Sequence, residues 1–156
     1  MRLLHASTYV FEEFFHGYIP PYAILSHTWG DGEVLYQDVV TLSKGARQQL
    51  QDGKAGISKP IQERGWAKIR NCCAEALQRD LRWVWIDTCC IDKSSSTDLS
   101  EAINSMYSYY QQADICLAYL SDVLPSTQSE SLEASLRRSR WFTRFVHLVL
   151  IDRELT

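Results

Sequence analysis

Three short apolar runs, separated by segments of helical period, constrain most strongly how this chain of 156 residues can fold. The runs are 22–26, 81–86 and 114–120, which have the length and the aromatic and β-branched content of strands. Residues 60–79 repeat apolar side chains at helical spacing, and so does the segment that follows the serines at 94–96. Because parallel strands need crossover connections, this order predicts an α/β fold with a parallel sheet and helices on both faces.

The segments around these runs complete the predicted organisation, a single domain over residues 1–156. Residues 1–21 are expected to form an extended entry and residues 31–60 a long loop with short helical pieces. A last helix is predicted to begin at Leu132, and the run 114–120 is apolar enough for a strand covered on both faces. Tyr109 is a candidate for an exposed side chain that contacts a partner protein. The core face of the second helix is predicted to contain Leu99, Ala102, Ile103, Met106, Tyr107 and Tyr110.

Charge and hydropathy exclude several classes of function. The formal net charge of −3 is opposite to the dense basic face that binds nucleic-acid phosphates. No apolar run is long enough to span a bilayer, and acidic residues such as Glu12 and Glu13 occupy the region where a signal peptide would be apolar. We therefore expect a cytoplasmic protein that neither binds nucleic acid nor crosses a membrane.

The five cysteines fit a reducing compartment. Cys72-Cys73 and Cys89-Cys90 are vicinal pairs and Cys116 stands alone, so the chain lacks the C-x-x-C chelate of a structural zinc site. Free cysteines behave as small hydrophobic residues. We predict that these thiols lie in the core and that no metal or cofactor is bound.

Polar residues follow the predicted strands at the points where ligands bind in open α/β sheets. The first such segment contains Ser26, His27 and Trp29. One interpretation is a ligand cleft in which Trp29 is a stacking wall and His27 a hydrogen-bond donor. The alternative is a turn in which Ser26 and His27 cap backbone groups and Trp29 packs on the core.

The second segment, residues 87–92, follows the most apolar strand. Asp87 is suited either to orienting a ligand hydroxyl or to capping the following turn. Cys90 and Asp92 belong to the same candidate site. Cys90, His27 and Asp87 also provide the residue types of a nucleophilic triad, although residue types without geometry are a poor reason to assign one.

Glu101 is the sharpest candidate for catalysis, because it lies near the start of the second predicted helix, just beyond residues 87–92. A carboxylate there is suited to binding ribose hydroxyls or to stabilising an oxocarbenium-like centre during glycosidic cleavage. The alternative is structural: Asp98 and Glu101 have the spacing of a capping box, with Asp98 at the N-cap and Glu101 three residues later.

Three ordered motifs resemble the heterokaryon-incompatibility (HET) domain family of filamentous fungi. They are residues 22–30 (YAILSHTWG), 85–93 (WIDTCCIDK) and 101–107 (EAINSMY), and the best-matched core runs from 22 to 123. Lys93 stands where the family usually has Gln. Residues 140–144 (RWFTR) also resemble the family, but the chain diverges after Arg144 and lacks an acidic residue that the family pattern places there.

The resemblance implies a role in allorecognition and programmed cell death, with other incompatibility or death-pathway proteins as partners and with self-association. The family is distantly similar to Toll/interleukin-1 receptor-like domains of innate immunity, which are flavodoxin-like three-layer α/β folds, and some of these cleave NAD with a helix-borne Glu. By that similarity Glu101 is the catalytic carboxylate, NAD is the substrate, and Ser26, His27, Trp29, Asp87, Cys90 and Asp92 line the cleft. The alternatives are a signalling module without chemistry and an inactive, truncated relic.

Overall fold

The computed structural model describes residues 1–15, 17–52, 62–123 and 132–143. It contains five strands and six α-helices in this part of the chain. The strands are β1 (Arg2–His5), β2 (Phe11–Glu13), β3 (Tyr22–His27), β4 (Trp83–Trp85) and β5 (Ile115–Tyr119). The helices are α1 (Tyr36–Val40), α2 (Lys44–Gln51), α3 (Glu63–Leu77), α4 (Asp87–Cys90), α5 (Ser96–Gln112) and α6 (Leu132–Arg138), and a 3-10 helix spans Arg140–Thr143.

The strands form one sheet in the order β2-β1-β4-β3-β5. At its centre β3 and β4 are parallel, with Ala23 opposite Val84. On the other side of β4 the sheet is antiparallel, because β1 pairs antiparallel with both β4 and β2. The chain is therefore an α/β fold, as predicted, with a sheet that is parallel at its centre. The antiparallel strands β1 and β2 are a correction, since residues 1–21 were expected to be an extended entry.

The chain divides into two compact units. Unit 1 consists of Met1–Leu25 and Gly30–Leu117, and unit 2 consists of Ser26–Trp29 and Ala118–Thr156.

The core of unit 1 is built on β3 and β4, as their apolar sequences require. The part of β3 that belongs to unit 1, residues 22–25, is buried throughout, and so are Val84 and Trp85 in β4. Helix α3 contributes a buried stripe that includes Trp66, Ile69 and Cys73, which recur at helical spacing.

Glycine permits the closest approach of α3 to the chain before α1. A Cβ added at Gly65 would lie 2.5 Å from the Gly32 carbonyl oxygen and 3.0 Å from the Val34 nitrogen. Both atoms belong to backbone, which cannot rotate away as a flexible side chain can. The glycine at 65 therefore sets the packing distance of this helix.

Two predicted burial patterns are wrong. β5 lies at a sheet edge, and its residues alternate between half-buried and exposed, so it is not covered on both faces. In α5 the buried residues are Ala102 and Tyr109, whereas Ile103 and Tyr107 are 60% and 58% exposed. Tyr109 is therefore a core residue and not a partner surface, because the helix is rotated relative to the face that its apolar residues suggested.

The cysteine prediction holds for the two vicinal pairs, which are buried free thiols, but Cys116 is exposed on the edge strand. Within the residues that the structure describes, no helix combines the length and the apolar character needed to cross a membrane.

Candidate functional site

The carboxyl end of β4 turns directly into the short helix α4. Ile86 is extended, with φ −135° and ψ 116°, and its carbonyl accepts a 2.8 Å hydrogen bond from the Cys90 N–H. The Cys90 sulfur closes the turn, since it accepts from the Ile86 N–H at 3.3 Å and donates to the Val84 carbonyl at 3.8 Å. This thiol is buried and bonded within its own turn, which argues against a nucleophilic role.

Several charged side chains interact with one another near this turn. Lys68 and Glu33 form an ion pair at 2.5 Å, with side chains only 5% and 11% exposed. Lys93 donates from Nζ to the Thr88 carbonyl at 3.1 Å, and burial lowers the pKa of Lys93 while Asp87 opposes that shift. Asp87, the first residue of α4, therefore lies within the electrostatic reach of a buried network.

Sequence reasoning missed the Glu33–Lys68 pair. The two residues are 35 positions apart and neither belongs to a recognisable motif. Only the fold brings α3 against the chain before α1. Lys68 lies on the otherwise apolar face of α3, one position before Ile69. This is the sequence signal that could have predicted a buried ion pair.

Asp98 connects the segment after α4 to the N-terminal strand. Its Oδ2 accepts from the Asp92 N–H at 2.6 Å and from Arg2 Nη1 at 2.8 Å. Arg2 also donates to the Cys90 carbonyl at 3.2 Å and to Glu13 Oε1 at 2.8 Å. One guanidinium therefore joins β1, β2 and both ends of the 90–98 segment.

Asp92 has a local role in the same segment. Its Oδ1 accepts hydrogen bonds from the Ser94 N–H at 3.0 Å and from the Ser94 hydroxyl at 2.6 Å. These bonds lower the pKa of Asp92. The carboxylate therefore shapes the turn before α5.

The N-cap of α5 is Ser95, whose hydroxyl accepts from the Asp98 N–H at 3.3 Å. The capping box predicted for Asp98 and Glu101 is therefore wrong, because the helix begins at Ser96 and Asp98 already lies within its first turn. Glu101 follows in the second turn and is exposed. Among the described residues it makes no hydrogen bond or ion pair, so its carboxylate has no capping role.

Glu101 borders a small cavity of about 70 Å³ within unit 1. Arg2, Asp98 and Glu13 supply charged groups to its wall, and Trp85 and Tyr109 supply aromatic ones. Trp85 and Tyr109 are in edge contact, with ring centroids 5.6 Å apart. Because pockets that enclose a whole organic ligand measure about 300–1,000 Å³, this cavity can hold only a fragment of one.

Of the predicted site residues in unit 1, Cys90 and Glu101 share this cavity, whereas Asp87 and Asp92 do not line it. The lining also includes Arg2, which sequence reasoning missed because a single arginine near the start of a chain carries no motif.

The other predicted residues belong to unit 2. Ser26 and His27 are buried, whereas Trp29 is 43% exposed. The Ser26 hydroxyl accepts from Trp141 Nε1 at 3.2 Å, which ties the RWFT segment to the end of β3. Asp122 accepts from the Ser139 hydroxyl at 2.8 Å and from the Arg140 N–H at 2.7 Å, so it caps the 3-10 helix, and these bonds lower its pKa.

The prediction that Ser26, His27 and Trp29 line the same cleft as Asp87 stays a prediction. Residues 140–144 were noted for their resemblance to the family, but the hydrogen bonds that join this segment to Asp122 within unit 2 were not anticipated.

The mixed sheet defines the chain as an α/β domain. Its candidate functional groups lie in the turns that follow the strands. The sequence profile of the heterokaryon incompatibility protein (HET) family matches residues 22–147. The chain therefore belongs to this family.

A curated relative is vegetative incompatibility protein HET-E-1 of Podospora anserina. The two are 42% identical over 134 residues, which cover 82% of this chain but only 9% of the relative. No solved structure matches the chain.

Proposed function

We propose that this chain acts in heterokaryon incompatibility, as a cytoplasmic domain that triggers cell death after non-self recognition, and that it does so by cleaving NAD. Membership of the family and the relative's name support the incompatibility role. The observation that carries the chemical part is the position of Glu101, whose carboxylate has no capping role and borders a cavity with aromatic and charged walls.

The proposed reaction breaks the bond between ribose C1′ and the nicotinamide nitrogen. Nicotinamide leaves with the bonding electron pair and becomes neutral, and water adds at C1′ and loses a proton to give ADP-ribose. The developing oxocarbenium-like charge at C1′ is the part of this path that a nearby carboxylate stabilises. Glu101 is the group assigned to that task.

The aromatic walls fit the same substrate fragment. Trp85 and Tyr109 provide flat apolar surface, and the nicotinamide ring of NAD is flat and positively charged, a combination that aromatic side chains favour. Since the cavity of about 70 Å³ is too small for the dinucleotide, activity requires it to widen, for which self-association is the proposed cause.

The sheet order supports the proposed flavodoxin-like arrangement. Apart from the N-terminal pair, the strands lie in the order β4-β3-β5, so the chain returns across β3 to reach β5. Doubly wound folds begin with the same pattern and bind ligands where the strand order reverses. Here that reversal lies between β3 and β5, and neither strand lines the cavity at Glu101, so the strand order supports the proposed fold and not the position of the NAD site.

The test is NAD consumption by the purified full chain fused to an oligomerising tag, followed as released nicotinamide. Glu101→Gln keeps the shape of the side chain and removes its charge, and we expect it to lower the rate by about 10²-fold or more. Glu12→Gln is the matched control, because Glu12 is an exposed glutamate outside the cavity. Equal rates in the wild type and Glu101→Gln would exclude the proposed role of Glu101.

A signalling module without chemistry is the second candidate, and the exposed apolar side chains of α5 favour it. Ile103 and Tyr107 are one helical turn apart and more than half exposed. An apolar pair at that spacing is suited to a partner helix. This candidate predicts that replacing both residues with Ser abolishes cell death, whereas Glu101→Gln leaves it intact.

A further inference from the structure

A second cavity in unit 1, of about 540 Å³, has the size of a small-molecule site and is open to solvent, since Asn71, Ala74 and Leu77 in its wall are exposed. It lies between the turn after β1, the end of α2 and one face of α3, and it shares no lining residue with the cavity at Glu101. Its apolar wall includes Leu50, Ala74 and Leu77. Polar groups reach it from Tyr9, Arg70 and Asn71.

Tyr9 is the residue that points to a ligand. Its side chain is only 5% exposed and lines the cavity, yet its hydroxyl makes no hydrogen bond within the described residues. The hydroxyl is therefore available to donate a hydrogen bond to a ligand in the cavity. Burial raises the pKa of Tyr9 to about 12.

The backbone holds Tyr9 in place at a conformational cost. Its φ is 53°, in the left-handed region that bulky residues avoid. The Tyr9 N–H donates to the His5 carbonyl at 2.9 Å, and the Tyr9 carbonyl accepts from Arg47. The ring is therefore held against the cavity by bonds on both sides of its Cα.

Arg70 sets the charge of a suitable ligand. It donates from Nη2 to Glu63 at 2.8 Å, which leaves Nη1 and Nε without hydrogen bonds to the described residues. Asn71 is exposed and makes none. Two donor side chains and one amide on an apolar wall favour a ligand with a flat apolar body and one acceptor-rich anionic group. Glu63 offsets part of the arginine's charge, which favours a single negative charge over several.

We infer that this cavity binds a small aromatic carboxylate, with its ring against α3 and its carboxylate at Arg70 and the Tyr9 hydroxyl. The site goes beyond the proposed NAD chemistry, since it uses none of the groups at Glu101.

The test is calorimetric titration of the full chain with 2-naphthoate, and with the neutral amide of the same ring. We expect saturable binding of the carboxylate at one site per chain and binding at least about tenfold weaker for the amide, because an ion-paired hydrogen bond is lost. Absence of saturable binding, or equal affinity for the two compounds, would overturn the inference.

Variants of residues that line the cavity test whether naphthoate binds there. Tyr9→Phe is expected to weaken naphthoate binding about fivefold without lowering the melting midpoint, since the removed hydroxyl makes no hydrogen bond to the described residues. Ala74→Phe fills the cavity and is expected to abolish binding. Tyr107→Phe and Glu101→Gln serve as controls and are expected to bind like the wild type. Wild-type affinity in both Tyr9→Phe and Ala74→Phe, or its loss in Glu101→Gln, would place the ligand elsewhere and refute the assignment.

Discussion

Gly65 is a residue at which one added methyl group tests the packing of α3. In Gly65→Ala the new Cβ meets the backbone of Gly32 and Val34 at 2.5 and 3.0 Å, so the helix must shift. We expect the free energy of unfolding to fall by about 1–3 kcal/mol, the usual range for overpacking. Urea denaturation measures this change.

Gly45→Ala is the matched control, because the nearest atom to its added Cβ is the Ser43 hydroxyl oxygen at 3.9 Å. In a helix this change is neutral or stabilises by up to about 1 kcal/mol. Equal losses in the two variants would show that Gly65 does not set the approach of α3.

The Lys68–Glu33 pair is expected to be far more sensitive than a surface pair. Lys68→Met leaves the Glu33 carboxylate nearly buried and without its lysine, which should cost about 3–5 kcal/mol in the free energy of unfolding. Arg79→Met breaks an exposed pair with Glu75 and should cost less than about 1 kcal/mol. Chemical denaturation of both variants gives the comparison, and similar small losses would mean that water reaches the Lys68 site.

For single residues, the sequence predicted which side chains belong to the candidate site but not the contacts that surround them. Glu101 and Cys90 both follow β4 in short succession and line one cavity, and their functional roles stay predictions. The Glu33–Lys68 pair and the position of Arg2 depend on contacts between distant segments, which no local pattern encodes.

The residue at which α5 begins determines whether Glu101 can cap this helix. Ser95→Ala removes the N-cap hydroxyl and should lower the free energy of unfolding by about 1 kcal/mol. Ser100→Ala, at an exposed position inside the same helix, should change it by less than about 0.5 kcal/mol. Thermal or urea denaturation of the two serine variants measures both effects.

Glu101→Ala tests the capping interpretation directly, because that interpretation placed Glu101 at the N3 position of α5. With Ser95 as the cap, Glu101→Ala is expected to leave stability within about 0.5 kcal/mol of the wild type. A loss as large as that of Ser95→Ala would restore the capping role of Glu101.

Among the elements, long patterns were predictable and short ones were not. Helices α3 and α5 and strands β3, β4 and β5 were all expected, because each has a clear period or a bounded apolar run. β1 and β2 have only four and three residues, and neither lies in a longer apolar run as the equally short β4 does. The buried face of α5 was predicted wrongly because the apolar residues of this helix form a broad stripe. Only the edge with Ala102 and Tyr109 is buried, whereas Ile103 and Tyr107 lie on the exposed edge.

For the whole molecule, buried thiols predict a loss of stability in alkaline solution. Burial raises the pKa of Cys72 to about 12, and it helps to raise the pKa values of Cys73 and Cys89 well above the usual range. Above about pH 9 the unfolded chain loses these protons and the folded chain keeps them. Each such thiol therefore lowers the free energy of unfolding by up to about 1.4 kcal/mol per pH unit.

The check is urea denaturation at intervals from about pH 8 to 10.5, across the unperturbed thiol pKa of about 8.5. Cys72→Ala should show a shallower decline than the wild type, because one of the shifted thiols is gone. Leu50→Ala, a buried change without a titrating group, should lower stability at every pH and keep the wild-type slope. Parallel slopes for Cys72→Ala and the wild type would mean that this thiol ionises equally in both states.

We propose that the domain kills by consuming NAD through Glu101. The most direct measurement follows cellular NAD and membrane integrity together after induced expression in fungal hyphae. We predict that NAD falls before membranes fail in hyphae expressing the wild type or Glu12→Gln, and that neither change occurs with Glu101→Gln expressed at the same level. Death at constant NAD, or undiminished death with Glu101→Gln, would contradict the claim and favour the signalling surface on α5.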